Sequence, residues 1–247
     1  MRYLVLTDIH ANLEALEVCL DHARAQGYDR TLVLGDLVGY GPDPNEVIER
    51  IKALSPVAMI RGNHDKVACG LEQPEGFNAV ARRAAIWTFE ILTSAHRNWL
   101  AALPKGPAIV DEVIQICHGS PFDEDAYIFD ELDAVRALKM SQRPLCLFGH
   151  THYPVTFALT EGRVDTIGGP NSIDGPLMLM DHAKYLLNPG AVGQPRDGDP
   201  RAAYAIADTT AKRVDLFRLE YPLEATQAKL VKAGLPDVLA QRLAVGR

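Results

Sequence analysis

The chain has 247 residues, of which 47% are hydrophobic, and a formal charge of -7, which predicts one globular domain spanning 1–247 with a substantial core. That acidic balance argues against a stable nucleic-acid complex, because a broad basic surface would be needed to neutralise the phosphates. No apolar run is long enough to span a membrane, and MRYLVLTDIH reaches Asp8 and His10 before a signal-peptide core develops, so the expected location is the cytoplasm.

In chain order, RYLVLT at 2–7 reads as a short buried strand, and Leu13, Leu16, Leu20 and Ala23 follow at helical spacing over 11–26. TLVLGD at 31–36 is a second buried strand. DPNEVIERIKAL then predicts a helix with Asp43 as N-cap, Pro44 at the first helical position and Glu46 completing a capping box. VAMIRG is a third strand. Strands and helices alternating at this spacing predict parallel βαβ units, whose ligands gather beyond the C-terminal strand ends. Residues 77–103 predict two covering helices.

From about 107 the texture becomes β-rich, with short runs joined by Gly, Asp and Asn turns, and this predicts a second, more antiparallel sheet. The tail over 223–244 predicts two helices broken at GLPD, with Pro236 and Asp237 opening the second. The expected fold class is α/β, two mixed β-sheets packed as a sandwich flanked by helices. Cys19, Cys69, Cys117 and Cys146 form no C-x-x-C pair and are expected to be free thiols in a reducing compartment.

Polar residues collect where these strands end: TDIHAN after the first, GD after the second, GNHD after the third, then CHG and GHTH. Asp8 and His10 are two apart, as are His150 and His152, so in extended chain each pair points to one side. Gly35, Gly62 and Gly149 each precede a candidate ligand, where a missing side chain lets the backbone approach a bulky centre. Carboxylate, amide and imidazole without thiolate form a mixed oxygen and nitrogen set, which favours Mn, Fe or Zn over calcium. Asp8, His10, Asp36, Asn63, His118, His150 and His152 are too many ligands for one tetrahedral ion and about the number two ions would need when one carboxylate bridges them.

Taken singly, each of these residues has an ordinary explanation as a turn or strand-end residue. Together, DIH, GDLVGYG, GNHD, CHG and GHTH, in that order over residues 8–152, resemble the calcineurin-like metallophosphoesterase superfamily. NPGAVGQPRDGDPRAAYAI at 188–206 resembles its small prokaryotic phosphodiesterase branch. The resemblance implies that Asp8, His10 and His152 hold one ion, that Asn63, His118 and His150 hold a second, and that Asp36 bridges them. It makes His64 the catalytic imidazole, acting on the leaving oxygen while a metal-activated hydroxide attacks phosphorus. Two divalent ions against two carboxylates leave a site of about +2, suited to a phosphate; manganese is the expected metal.

The phosphoprotein phosphatases of this superfamily carry G-D-x-V-D-R-G, whereas this chain has Gly39 and Tyr40 at the aspartate and arginine positions. A phosphodiester or small nucleotide is therefore the expected substrate. A phosphomonoesterase, a dinucleoside polyphosphate hydrolase and a silent scaffold, as in a retromer subunit, are the alternatives. Asn12 either donates to a phosphate or caps the first helix, and Arg196 either clamps a phosphate or sits in a solvated turn. FDEDAY at 122–127 is either a solvated loop or an edge of the site. A homo-oligomer is compatible with the sequence.

Overall fold

Alternation within the first strand builds two layers at once. In the computed structural model, which describes residues 1–169 and 176–247, β1 (Arg2–Leu6) turns Leu4 and Leu6 toward the helices α1 (Leu13–Gln26) and α2 (Pro44–Leu54). Tyr3 and Val5, one step out of phase, face the opposite layer. β2 (Arg30–Val33) and β3 (Ala58–Met59) continue parallel to β1, with Leu4 beside Thr31 and Val33 beside Met59.

The chain then forms α3 (Asn63–Cys69), α4 (Ala79–Ile91) and α5 (Ser94–Ala101). Next come β4 (Ala108–Ile109), β5 (Ile114–Ile116), α6 (Glu131–Met140) and β6 (Leu145–Leu147), in which β5 and β6 are parallel across a helical crossover. β7 (Val155–Thr160), β8 (Arg163–Gly168), β9 (Leu177–Met178), β10 (Lys184–Asn188), β11 (Ala202–Asp208), β12 (Arg213–Leu219), α7 (Leu223–Lys232) and α8 (Asp237–Ala244) complete the order.

Two six-stranded mixed sheets result, β3-β2-β1-β11-β12-β9 and β4-β5-β6-β10-β7-β8. Val5, Leu32, Leu34 and Ala205 from the first meet Ile116, Leu147, Tyr185 and Leu187 from the second in one core between the sheets. The outer face of the second sheet carries Cys146, Phe148, Phe157 and Leu186 against Ala134, Ala137 and Leu138 of α6. The layers therefore run helix, sheet, sheet, helix, as the sequence predicts.

Two local expectations need correction. The β-rich half builds the whole second sheet but is not confined to it: β11 pairs with β1, Leu4 beside Ile206, and carries β12 and β9 into the first sheet. The capping box at α2 is not formed, because the Asp43 carboxylate accepts from Lys229 Nζ at 2.8 Å and makes no cap hydrogen bond. GNHD opens α3, in which Asp65 at the third helical position accepts from the Gly62 N–H at 3.0 Å. The cysteines are free, with Cys19, Cys117 and Cys146 buried.

Candidate metal centre

The ends of β1, β2 and β3 from one sheet and of β5 and β6 from the other open onto the same place, and all seven predicted ligands meet there. Asp8, His10, Asp36, His118, His150 and His152 are at most 4% exposed. Asp8, His10, Asp36 and His152 form one group of closely approaching donor atoms, and Asp36, His118 and His150 form another, so Asp36 belongs to both. Asn63 Oδ1 lies 3.3 Å from His118 Nε2, on the side of the second group.

Extended backbone is not what brings each pair together. Asp8, His10, Asp36, His150 and His152 all have positive φ, between 48° and 68°, so the chain coils left-handed beyond each strand and turns these side chains inward. Such residues cost roughly 1–3 kcal/mol each and persist where the surroundings hold them. Here the loops after β1 and β2 are tied together by the N–H groups of Asp8, His10 and Ala11 donating to the carbonyls of Gly35, Asp36 and Leu37. A Cβ on Gly62 would collide with the Asp36 carboxylate, and one on Gly149 with Thr7 Oγ1 and Asp8 Oδ2. The glycines before these ligands are there for contact.

Each imidazole is fixed by a carbonyl, which can only accept. His10 Nδ1 donates to Val38 O at 3.1 Å, His118 Nδ1 to Leu34 O at 2.8 Å and His152 Nδ1 to Gln194 O at 2.6 Å. In the neutral rings the inward lone pair is therefore on Nε2. His150 is reversed, with Nε2 donating to Asp125 O at 3.0 Å. Burial drives the His10 pKa down to about 4 and that of His150 to about 3, and lowers that of His152 well below the ordinary value.

His10 Nε2 and His152 Nε2 consequently stand 3.0 Å apart with no proton between them. Two opposed lone pairs at that distance call for a cation, and Asp8 Oδ1 and Asp36 Oδ2 lie beside them, at 3.4 Å from His152 Nε2 and 3.6 Å from His10 Nε2 respectively. The donor set fits a divalent metal.

The carboxylates are held just as firmly. Asp8 accepts from Thr7 Oγ1 at 2.8 Å and from the His150 N–H, and Asp36 Oδ1 accepts from the His64 N–H at 2.9 Å. Asp36 Oδ2 is left facing His10 and His118. Burial, reinforced by the charge on Asp36, raises the Asp8 pKa to about 7. His118 is pushed the other way, to about 10: burial opposes its charge, but the nearby Asp36 and Asp8 carboxylates outweigh it.

His64, on α3, is 5% exposed and packs between Tyr40 and Phe77, with ring centroids 4.3 and 4.5 Å away. Its Nδ1 has no hydrogen-bond partner. Asp65 does not orient it, because that carboxylate accepts from the N–H groups of Leu37, Val38 and Gly62 and so ties the loop after β2 to α3. Arg196 lies 5.6 Å over the Tyr40 ring, its Nη2 donates to Gln194 Oε1 at 3.0 Å, and its Nε has no partner.

Of the two readings of Asn12, the helix cap is formed. Its Oδ1 caps α1 through the Ala15 N–H at 3.2 Å and its Nδ2 donates to Gly193 O at 2.9 Å, with 1% of the residue exposed. Residues outside the sequence reading complete the centre. Asn188, at the end of β10, donates to Gly149 O at 2.8 Å and to Thr151 Oγ1 at 3.0 Å, bracing the GHTH loop. Its place in NPG reads only as a turn, and Thr7 and Gln194 carry no signal of their own. FDEDAY edges the site: the Asp125 carbonyl holds His150, and Tyr127 stacks on its ring.

Comparisons with known proteins give the family and the fold. Residues 1–212 match the model of the calcineurin-like phosphoesterase superfamily domain. The uncharacterised protein MJ0912 of Methanocaldococcus jannaschii is 35% identical, covering 98% of this chain and 97% of its own. A metallophosphoesterase structure from Sphaerobacter thermophilus superposes with a TM-score of 0.87 at 41% identity, covering 100% of this chain and 99% of the other. The hypothetical protein PH1004 of Pyrococcus horikoshii shares the fold, with a TM-score of 0.79 at 22% identity and coverage of 100% and 98%.

Proposed function

The chain belongs to the calcineurin-like phosphoesterase superfamily, and from that premise we propose that it hydrolyses phosphate esters with two divalent ions, manganese by preference, and takes a phosphodiester or small nucleotide. The observation that carries this reading is the pair of donor groups sharing Asp36, with two neutral imidazole lone pairs opposed at 3.0 Å. In it, Asp8, His10 and His152 hold one ion, Asn63, His118 and His150 hold the other, and Asp36 belongs to both. The ions supply positive charge for the phosphate and acidify water to make the nucleophile.

The side chains do the rest. Burial keeps the His64 ring neutral, so it carries one N–H to offer the leaving oxygen, and the rings of Tyr40 and Phe77 hold its plane. Arg196, seated over Tyr40 with an unpaired Nε, supports a role in clamping a phosphate oxygen. Gly39 and Tyr40, where the phosphoprotein phosphatases have Asp and Arg, support a smaller substrate than a phosphoprotein.

The test is hydrolysis of bis(p-nitrophenyl) phosphate and p-nitrophenyl phosphate by metal-stripped protein with Mn²⁺ added back. The expected result is Mn-dependent cleavage with the diester faster. Faster monoester cleavage would replace the diester preference. Bound metal without cleavage of these esters or of nucleotides would leave a silent scaffold.

A further inference from the structure

Resting on the phosphoesterase reading, we infer that Tyr127 and Phe129 form a stacking platform for the nucleobase of a nucleotide whose phosphate sits at the metal centre. The His150 ring, itself in the site, is covered by Tyr127 at a centroid distance of 3.9 Å with planes 23° apart. Phe129 continues the stack, 5.2 Å from Tyr127 and within 8° of parallel. Both aromatics nevertheless remain open to solvent, Tyr127 by 48% and Phe129 by 65%.

The segment that carries them is built, not loose. Ile128, between the two rings, is 1% exposed and packs with Cys117, Ala134 and Phe148. Alternation along this segment therefore buries Ile128 and turns both neighbours outward. The Phe129 N–H donates to Asp133 Oδ2 at 3.1 Å, fastening the segment to the first turn of α6.

Two of the three acidic residues just before it, Glu124 and Asp125, are ion-paired. Buried Lys66 Nζ reaches Asp125 Oδ2 at 2.6 Å and Glu124 Oε1 at 3.3 Å, and Arg61 pairs with Glu124 through two N–H groups at 3.3 Å. An anionic ester approaching His150 thus meets rings and two carboxylates whose charge is already paired. Shielding His150 requires only Tyr127, so packing leaves the exposed, aligned Phe129 unexplained. A planar base added to the end of such a stack takes water off one of its own faces and off the exposed face of the ring beneath it, and needs no hydrogen-bond code.

The test uses the full-length, Mn-loaded protein and compares calorimetric affinities for adenosine 5′-monophosphate and ribose 5-phosphate, which differ by the base alone. The nucleotide should bind about 10-fold or more tightly. That ratio should fall toward one in Phe129→Ala and Phe129→Leu and persist in Phe129→Trp. Equal affinities in the parent protein, binding of neither ligand, or an undiminished ratio in both Phe129→Ala and Tyr127→Ala would overturn the platform. Hydrolysis of bis(p-nitrophenyl) phosphate by the same preparation separates the two claims: base discrimination without hydrolysis upholds the platform and removes the enzyme, and hydrolysis without discrimination does the reverse.

Discussion

Asp36 and His64 are neighbours in the centre with different expected roles, and single substitutions separate them. Asp36 offers Oδ2 to both donor groups while Oδ1 is held by the His64 N–H. Asp36→Asn keeps the shape but removes the shared charge, so metal affinity should drop by ~100-fold or more, with activity lost in parallel; metal analysis after gel filtration beside turnover checks this. His64 packs its ring edge-on against that of His10, 5.0 Å between centroids, but belongs to neither donor group. His64→Ala should therefore retain the metal and lower turnover by ~10²-fold, as for loss of a hydrogen-bond donor to the leaving oxygen. Loss of metal from that variant would move His64 among the ligands.

At the scale of elements, the centre depends on loops that hold one another in place. Asn188 connects the end of β10 to the GHTH loop after β6 by two side-chain hydrogen bonds inside the protein. Asn188→Ala should lower stability by about 1–3 kcal/mol, because the buried Gly190 N–H, which donates to Asn188 Oδ1 at 2.8 Å, is left unpaired, and weaken metal binding by ~10-fold or more; denaturant unfolding and a metal titration measure the two effects. Much of this framework was legible in the sequence. β1, α1, β2 and α2 follow from periodicity, and the α7–α8 break from Pro236. What escaped was what tertiary contact decides. α3 is short and starts on Gly62 without a capping side chain of its own. α6 lies in a stretch whose short apolar runs read as strands. Asp43, an N-cap by position, pairs instead with Lys229 from the far end of the chain. The ligands were legible because their order and strand-end positions are written in sequence; the left-handed backbone that aims them, and the second purpose of Asn188, are properties of the folded loops.

Across the whole molecule, the two sheets bring buried carboxylates and imidazoles together, and protons compete with metal for them. Without metal, His118, with its pKa near 10, keeps its proton at neutral pH, and Asp8, near 7, is partly protonated. Metal must displace both protons, so binding should release protons and strengthen as pH rises, with the Asp8 contribution fading above about 7 and that of His118 persisting toward 10. Calorimetry in buffers of different ionisation enthalpy counts the protons released, and an uptake of protons would reverse the assignment. On the proposed reading the folded centre would bind metal and the unfolded chain would not assemble it, so added Mn²⁺ should also raise Tm, increasingly with concentration.

The most direct test is a titration of metal-stripped protein with Mn²⁺ in which bound metal and hydrolysis of bis(p-nitrophenyl) phosphate are followed together. Activity should rise with metal and reach its plateau at two equivalents per chain. Full activity in the stripped protein, or a plateau at one equivalent, would contradict a centre in which Asp36 is shared by two ions.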